Sequence, residues 1–328
     1  MKALPRKAVS LIVKAAVTVS LLWWLSRKLD FGLLWGNLLA LSPADILLGI
    51  ALIFCGTILS IVRWSVIMRQ IGISIAGTAI LRYGLIGYFF NQALPSSIGG
   101  DGIRLWLLYR DGIAASLAIR SIFLDRLSGL VFLFLLSLYG MPRLLQQLFG
   151  ISPLFLAGAL ICCVLAGIAV LALITRQQSR LDHYRAGRVL VQIVGDLKLL
   201  ATRNWTLLYV GILSLAAQLL SCGVVWLLVH RFNANVSLVD VLTVTPVIFI
   251  LLILPITIAG WGLREGLFVA GLALVGVSED VALISSVVFG VINLLASLVG
   301  GVLWIADASA IKQTPGSDGR EMIGDRPA

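Results

Sequence analysis

The chain has 328 residues, of which 60% are hydrophobic and 12% charged, with a mean hydropathy of +1.05. Soluble domains carry about 25% charged residues, so this composition excludes an ordinary soluble protein and predicts an all-α polytopic membrane protein. The net charge of +10 is spread between apolar spans with no groove-reading motif. It reads as positive-inside loops and lipid-headgroup contacts, and no nucleic-acid partner is expected.

Runs able to cross about 30 Å of hydrocarbon, about 20 residues each, fall near 8–26, 44–62, 117–140, 154–175, 205–229 and 281–305. The first follows a basic head and ends in Trp23-Trp24-Leu25, not in a small-residue cleavage site, so an uncleaved span is expected. Cys55, Cys162, Cys163 and Cys222 lie inside apolar runs without CxxC spacing and read as packing residues. With only His183 and His230 besides, neither a metal site nor a cofactor is expected. Two further runs are short. Tyr83–Leu94 has 12 residues and Val241–Leu254 has 14, rising about 18 and 21 Å as helix. They stop at Pro95 and Pro255.

With the N-terminus inside, the basic head, the segment 63–82, the loop 176–203 and the tail hold 15 Lys and Arg, against 4 on the other side. The positive-inside rule therefore predicts cytoplasmic N- and C-termini. An even number of crossings must then separate 63–82 from 176–203, yet three candidate runs lie between them. The proline-broken run is the one to demote, to a re-entrant hairpin over about 83–112. The region after Val241 repeats the pattern. Each repeat, about 8–140 and 154–306, becomes two spans, a hairpin and a third span, giving about six full spans plus two hairpins. Three crossings is an odd number, so the second repeat is inverted. From Asp307 onward, the 22 remaining residues are polar and predict a disordered tail.

The two hairpin tips carry matching turns. "LPSSIGGDGIR", Leu94–Arg104, and "LPITIAGWGLR", Leu254–Arg264, lie 160 residues apart, and the 15 residues from each Leu share seven identities. Inverted repeats with interrupted helices are a transporter signature, and such breaks must be buried or line a wet cavity. Gly99, Gly100 and Gly102 allow a ligand close to the backbone. A helix over 102–109 would point free amides at an anion, with Arg104 adding a fork matched to phosphate. Gly260, Gly262 and Arg264 repeat the arrangement. A second reading is that the glycines permit tight packing and Arg104 pairs with Asp101.

Asp101 and Glu265 are candidate gates or proton carriers; the alternative is a pair of salt bridges that hold the hairpins shut. Asp125 and Arg126 form a candidate intramembrane pair, with Arg120 one to two turns earlier. Arg63 and Arg82 extend a basic vestibule or lie in a solvated loop. Asn91, Gln92, Gln218 and Asn293 are cavity lining or interhelical contacts. No Ser/His/Asp set, HExxH or P-loop occurs, and "GGDGIR" is a poor match to G-x-G-x-x-G. No enzyme is expected, although a transferase working through Asp101 or Asp125 remains open.

"NQALPSSIGGDGIRLWLL", "DRLSGL" at Asp125–Leu130 and "LPITIAGWGLREGLF" together resemble the flippase-like membrane family that contains the N-terminal membrane region of bacterial lysylphosphatidylglycerol synthases. The resemblance covers roughly residues 8–306. It implies a bacterial inner-membrane protein that translocates anionic, aminoacylated or polyprenyl-linked lipids. Full-length synthases add an acetyltransferase-like cytosolic domain; this chain ends soon after its last span, so a stand-alone member without synthase activity is expected. Trp261 stands where a third glycine is typical. The alternative function is a non-catalytic membrane partner of a separate lipid-modifying or glycosyl-transferring enzyme.

Overall fold

The computed structural model describes residues 41–94, 99–142, 173–177, 185–202, 204–232, 235–253 and 262–313, with isolated positions between 143 and 172. The predicted span at 8–26, most of that at 154–175, and Pro95, Pro255, Gly260, Trp261, Cys162, Cys163 and His183 lie outside the described residues.

The described residues form nine helices and no strand. They are α1 Pro43–Gln70, α2 Gly77–Ala93, α3 Gly99–Arg110, α4 Ala115–Ser137, α5 Arg185–Thr202, α6 Asn204–Arg231, α7 Leu238–Leu251, α8 Leu263–Ala273 and α9 Glu279–Gln313. Capping boxes at Ser42–Asp45 and Ser237–Asp240 start α1 and α7 by satisfying orphan amides. Among the described residues, three stretches are long and apolar enough to cross a membrane: Pro43–Gln70, Trp205–Arg231 and Glu279–Asp307. The 23 residues of α4 rise about 34 Å, but Arg120, Asp125 and Arg126 interrupt its apolar run.

The element order repeats: a long helix, two short arms and another long helix in α1–α4, then the same in α6–α9. The equivalent first helices run antiparallel. Arg231 near the end of α6 meets Asp45 near the start of α1, Nε to Oδ1 2.9 Å. Arg63, late in α1, donates to Ser214, early in α6, at 3.1 Å. An inverted repeat requires this geometry, and a direct repeat would make α1 and α6 parallel.

The hairpins are gripped by the opposite repeat. Along α9, Asn293 accepts from the Tyr88 hydroxyl of α2 at 3.0 Å, and Asp307 pairs with Arg82 at 2.9 Å. Between them Gly300 lies against the Leu85 carbonyl, so close that a Cβ would sit 2.0 Å from it. Gly140, 160 residues earlier, packs against the Thr243 carbonyl of α7 in the same way, with a Cβ distance of 1.8 Å. Arg82 at the start of α2 and Arg110 at the end of α3 both approach Asp307. Both ends of the first hairpin therefore open at one face, as re-entry demands.

The structure moves several predicted boundaries. The span expected at 44–62 continues to Gln70, because Trp64, Ile67 and Met68 extend its buried face. Arg63 is consequently buried in α1 and not in a solvated loop. The first hairpin arm starts at Gly77, and its return helix starts at Gly99 where 102 was expected. Part of the basic loop 176–203 is the amphipathic helix α5, with Ile193 and Leu200 packed among Ile67, Leu124 and Val210. The last helix runs through Asp307 to Gln313, so the polar tail does not begin at 307. Two arginines hold Asp307, which explains the extension.

The two glycine crossings make equal demands. Gly140→Ala and Gly300→Ala are each expected to lower stability by about 1–3 kcal/mol through overpacking. Gly102→Ala, with nothing within 4 Å of its Cβ, is expected to change it little. Thermal unfolding in detergent micelles checks all three; equal melting points for Gly300→Ala and wild type would contradict the packing.

Candidate functional site

At the first hairpin the two arms touch backbone to backbone. A Cβ on Gly100 would lie 1.9 Å from the Gly87 carbonyl, and the Gly100 amide donates to Asn91 Oδ1 at 3.0 Å. Glycine at 87 also makes room for Arg104, since a Cβ there would lie 2.5 Å from Arg104 Nε. The Arg104 guanidinium is laid over the Trp64 ring, 4.9 Å from its centroid, a favourable cation–π position. Arg104 is 7% exposed. Its Nη2 donates to the Gly84 carbonyl at 3.3 Å. Its Nη1 stands 3.8 Å from Asp125 and 3.9 Å from Asp101, beyond hydrogen-bond length. Its buried Nε has no hydrogen-bond partner.

Both nearby acids are held by other arginines. Asp101 accepts two bonds from Arg126, each 2.8 Å. Asp125 accepts from Arg63 Nε at 2.9 Å, and Arg63 reaches on to Ser214. The predicted Asp125–Arg126 pair is therefore replaced by two pairs that radiate from α4, because successive helical residues point about 100° apart. The predicted Arg104–Asp101 pair is loose for the same reason: Arg126 has taken the carboxylate. With each group ionised, three guanidinium groups face two carboxylates, a net of one positive charge; the Arg126 side chain is 46% exposed, so the cluster is open to solvent at that end while Arg104 stays buried. An anion bound beside Arg104 Nε would neutralise that charge.

The second hairpin is arranged differently. Gly262, with φ +83°, starts α8 in a conformation suited to glycine. The Glu265 carboxylate caps that turn by accepting from the Gly262 amide at 2.5 Å. It also accepts from Arg264 at 2.6 and 3.1 Å, with Ser286 of α9 alongside. This pair is buried and neutral, as the salt-bridge reading of Glu265 expects. Positions 160 apart show the cause of the asymmetry. Leu105 stands opposite Glu265, Trp261 opposite Asp101, and Ser286 opposite Arg126.

Of the remaining predicted positions, Gly99 and Gln92 are half-buried near the first tip, while Gly102 is exposed. Asn293 joins α9 to Tyr88, and Gln218 is half-buried on α6. Arg120 pairs with Asp196 of α5 at 2.7 Å. Arg82 belongs to a group with Asp307, Arg110, Asp111 and Tyr83 at the hairpin mouth. Sequence reasoning gave Arg63 to a basic vestibule or a solvated loop, and it missed Trp64, Gly87 and Ser214 as site residues. The continuing apolar face of Trp64, Ile67 and Met68 was the available signal for Arg63.

Truncating one member of a buried ion pair leaves the other unpaired and costs about 3–5 kcal/mol. Arg63→Leu and Asp125→Leu are each expected to destabilise the protein by about that much. The double variant should recover a large part of the loss. Chemical denaturation in mixed micelles measures this; additive losses would show that the pair does not couple.

A comparison with curated proteins returns no match to this chain. The family model described as the lysylphosphatidylglycerol synthase TM region matches residues 11–301. That match takes in both hairpins, the Arg104 cluster and the Arg264–Glu265 pair. The chain belongs to the lysylphosphatidylglycerol synthase transmembrane-region family.

Proposed function

We propose that this multi-pass protein translocates lipids across the bacterial inner membrane by alternating access around its two hairpins. The substrates are anionic, aminoacylated or polyprenyl-linked lipids. The supporting observation is the Arg104 cluster, with its surplus positive charge and a buried Nε lacking a hydrogen-bond partner. Arg104 Nε would donate to a phosphate oxygen, with Arg63 and Arg126 as flanking charges and Asp101 and Asp125 exchanging partners as it arrives. Arg264, already beside Glu265, serves as the second station nearer the opposite leaflet and exchanges Glu265 for phosphate. No catalytic step is assigned to either hairpin. The basic hairpin mouth at Arg82 and Arg110 lies on the cytoplasmic face in this reading, with both termini cytoplasmic.

Liposome reconstitution of the full chain with fluorescent phosphatidylglycerol and lysylphosphatidylglycerol tests the proposal. Wild type should expose inner-leaflet label to a membrane-impermeant quencher. Arg104→Ala should slow this about tenfold or more, the loss of a charged hydrogen bond, and Arg104→Lys should restore only part. Equal rates for Arg104→Ala and wild type would remove Arg104 from the site. If wild type moves none of a broad lipid panel, the role as membrane partner of a separate lipid-modifying enzyme is favoured instead.

A further inference from the structure

Away from the charged cluster, α4, α5 and α6 enclose a groove of about 410 Å³. Its floor is the α4 face from Leu124 to Phe132, which extends about 12 Å along the helix. Its walls are Val194 and Leu197 of α5 and Leu207 and Val210 of α6. Val131 and Leu207 on its rim are 46% and 45% exposed, so the groove opens sideways. On an integral membrane helix, that direction is the bilayer.

The lining is apolar apart from Ser128 and Lys198. The Ser128 hydroxyl is turned onto its own helix, donating to the Asp125 carbonyl. Lys198 is therefore the one charged group among the lining residues. It is exposed, on the amphipathic helix α5, with its ammonium donating to Thr175 at 3.3 Å. The apolar face of α5 packs on protein, and its exposed Lys198 offers a cation that attracts anionic headgroups. An apolar slot with one cation at its wall has the polarity pattern of a single anionic phospholipid.

We propose that this groove seats one acyl chain of a resident anionic phospholipid, with Lys198 contacting its phosphate. The seat is separate from the translocation site: it neither includes Arg104 nor shares a lining residue with the cluster. It fastens α5 to α4 and α6 beside the Arg120–Asp196 pair.

The test uses the full chain in nanodiscs containing a phosphatidylglycerol with a diazirine near the acyl terminus. After photolysis, label is expected on peptides covering 124–132 and 207–210, above the level on the exposed face of α9. Val131→Trp and Leu207→Trp, which fill the groove from two places, should each abolish that excess, and two variants guard against misfolding of one. Lys198→Gln should reduce the preference for phosphatidylglycerol over phosphatidylcholine about fivefold, the effect of one basic residue. Arg104→Ala should leave the labelling unchanged, which separates failure here from failure of the translocation reading. Uniform labelling of all lipid-facing helices, or unchanged labelling in both Trp variants, would overturn the proposal. So would a disulfide-linked dimer through Val131→Cys, which would make a second copy the occupant.

Discussion

A break in a helix inside a bilayer exposes amide and carbonyl groups where no water can satisfy them. That constraint governs the rest of this architecture. Each pair of short arms breaks one helix, so the arms need protein to pack against. Here that helix comes from the other repeat. The first arm of hairpin one lies on α9, and the first arm of hairpin two lies against the end of α4. Glycine at 300 and 140 lets these backbones meet at contact distance, close packing of the kind that membrane helices use in place of a hydrophobic driving force. Each repeat thus completes the fold of the other.

Backbone symmetry does not extend to the charges. The first hairpin sends Asp101 across to Arg126 and leaves Arg104 stacked on Trp64 with only distant carboxylates. The second keeps Glu265 beside Arg264 and caps its own turn with the same carboxylate. Arg63 has Gly223 as its positional equivalent, so the added cation belongs to one repeat alone. One hairpin thus carries a net positive charge among its neighbours and the other a closed ion pair, on one repeated scaffold.

The broad architecture was legible because it rests on local signals. Apolar run length, two prolines and the repeated Gly–Gly–Arg turn located the hairpins, and crossing parity gave the inversion that the antiparallel α1 and α6 display. The ion pairs were not legible, because they depend on tertiary approach. Arg63 and Asp125 are 62 residues apart, and Arg63 and Ser214 are 151 apart. Counting arginines for sidedness treats each one as a surface charge, and that assigned Arg63 to a loop. Asp125 and Arg126 looked like partners because they are neighbours in sequence, yet helical geometry directs them to different helices. Likewise α5 was hidden by its basic residues, although Val189, Ile193, Leu197 and Leu200 recur at helical spacing.

The most direct test of the central claim, that two arginine-bearing hairpins enter from opposite faces, is cysteine accessibility. Single cysteines at Ser74, Ala114, Asn235 and Ser278, all exposed turn positions, would be introduced into a cysteine-free chain and labelled with a membrane-impermeant maleimide in oriented vesicles. Ser74 and Ala114 flank the first hairpin and should label from one face; Asn235 and Ser278 flank the second and should label only from the other. Labelling of Ala114 and Ser278 from the same face would contradict the inverted arrangement, and with it the pairing of the two turns.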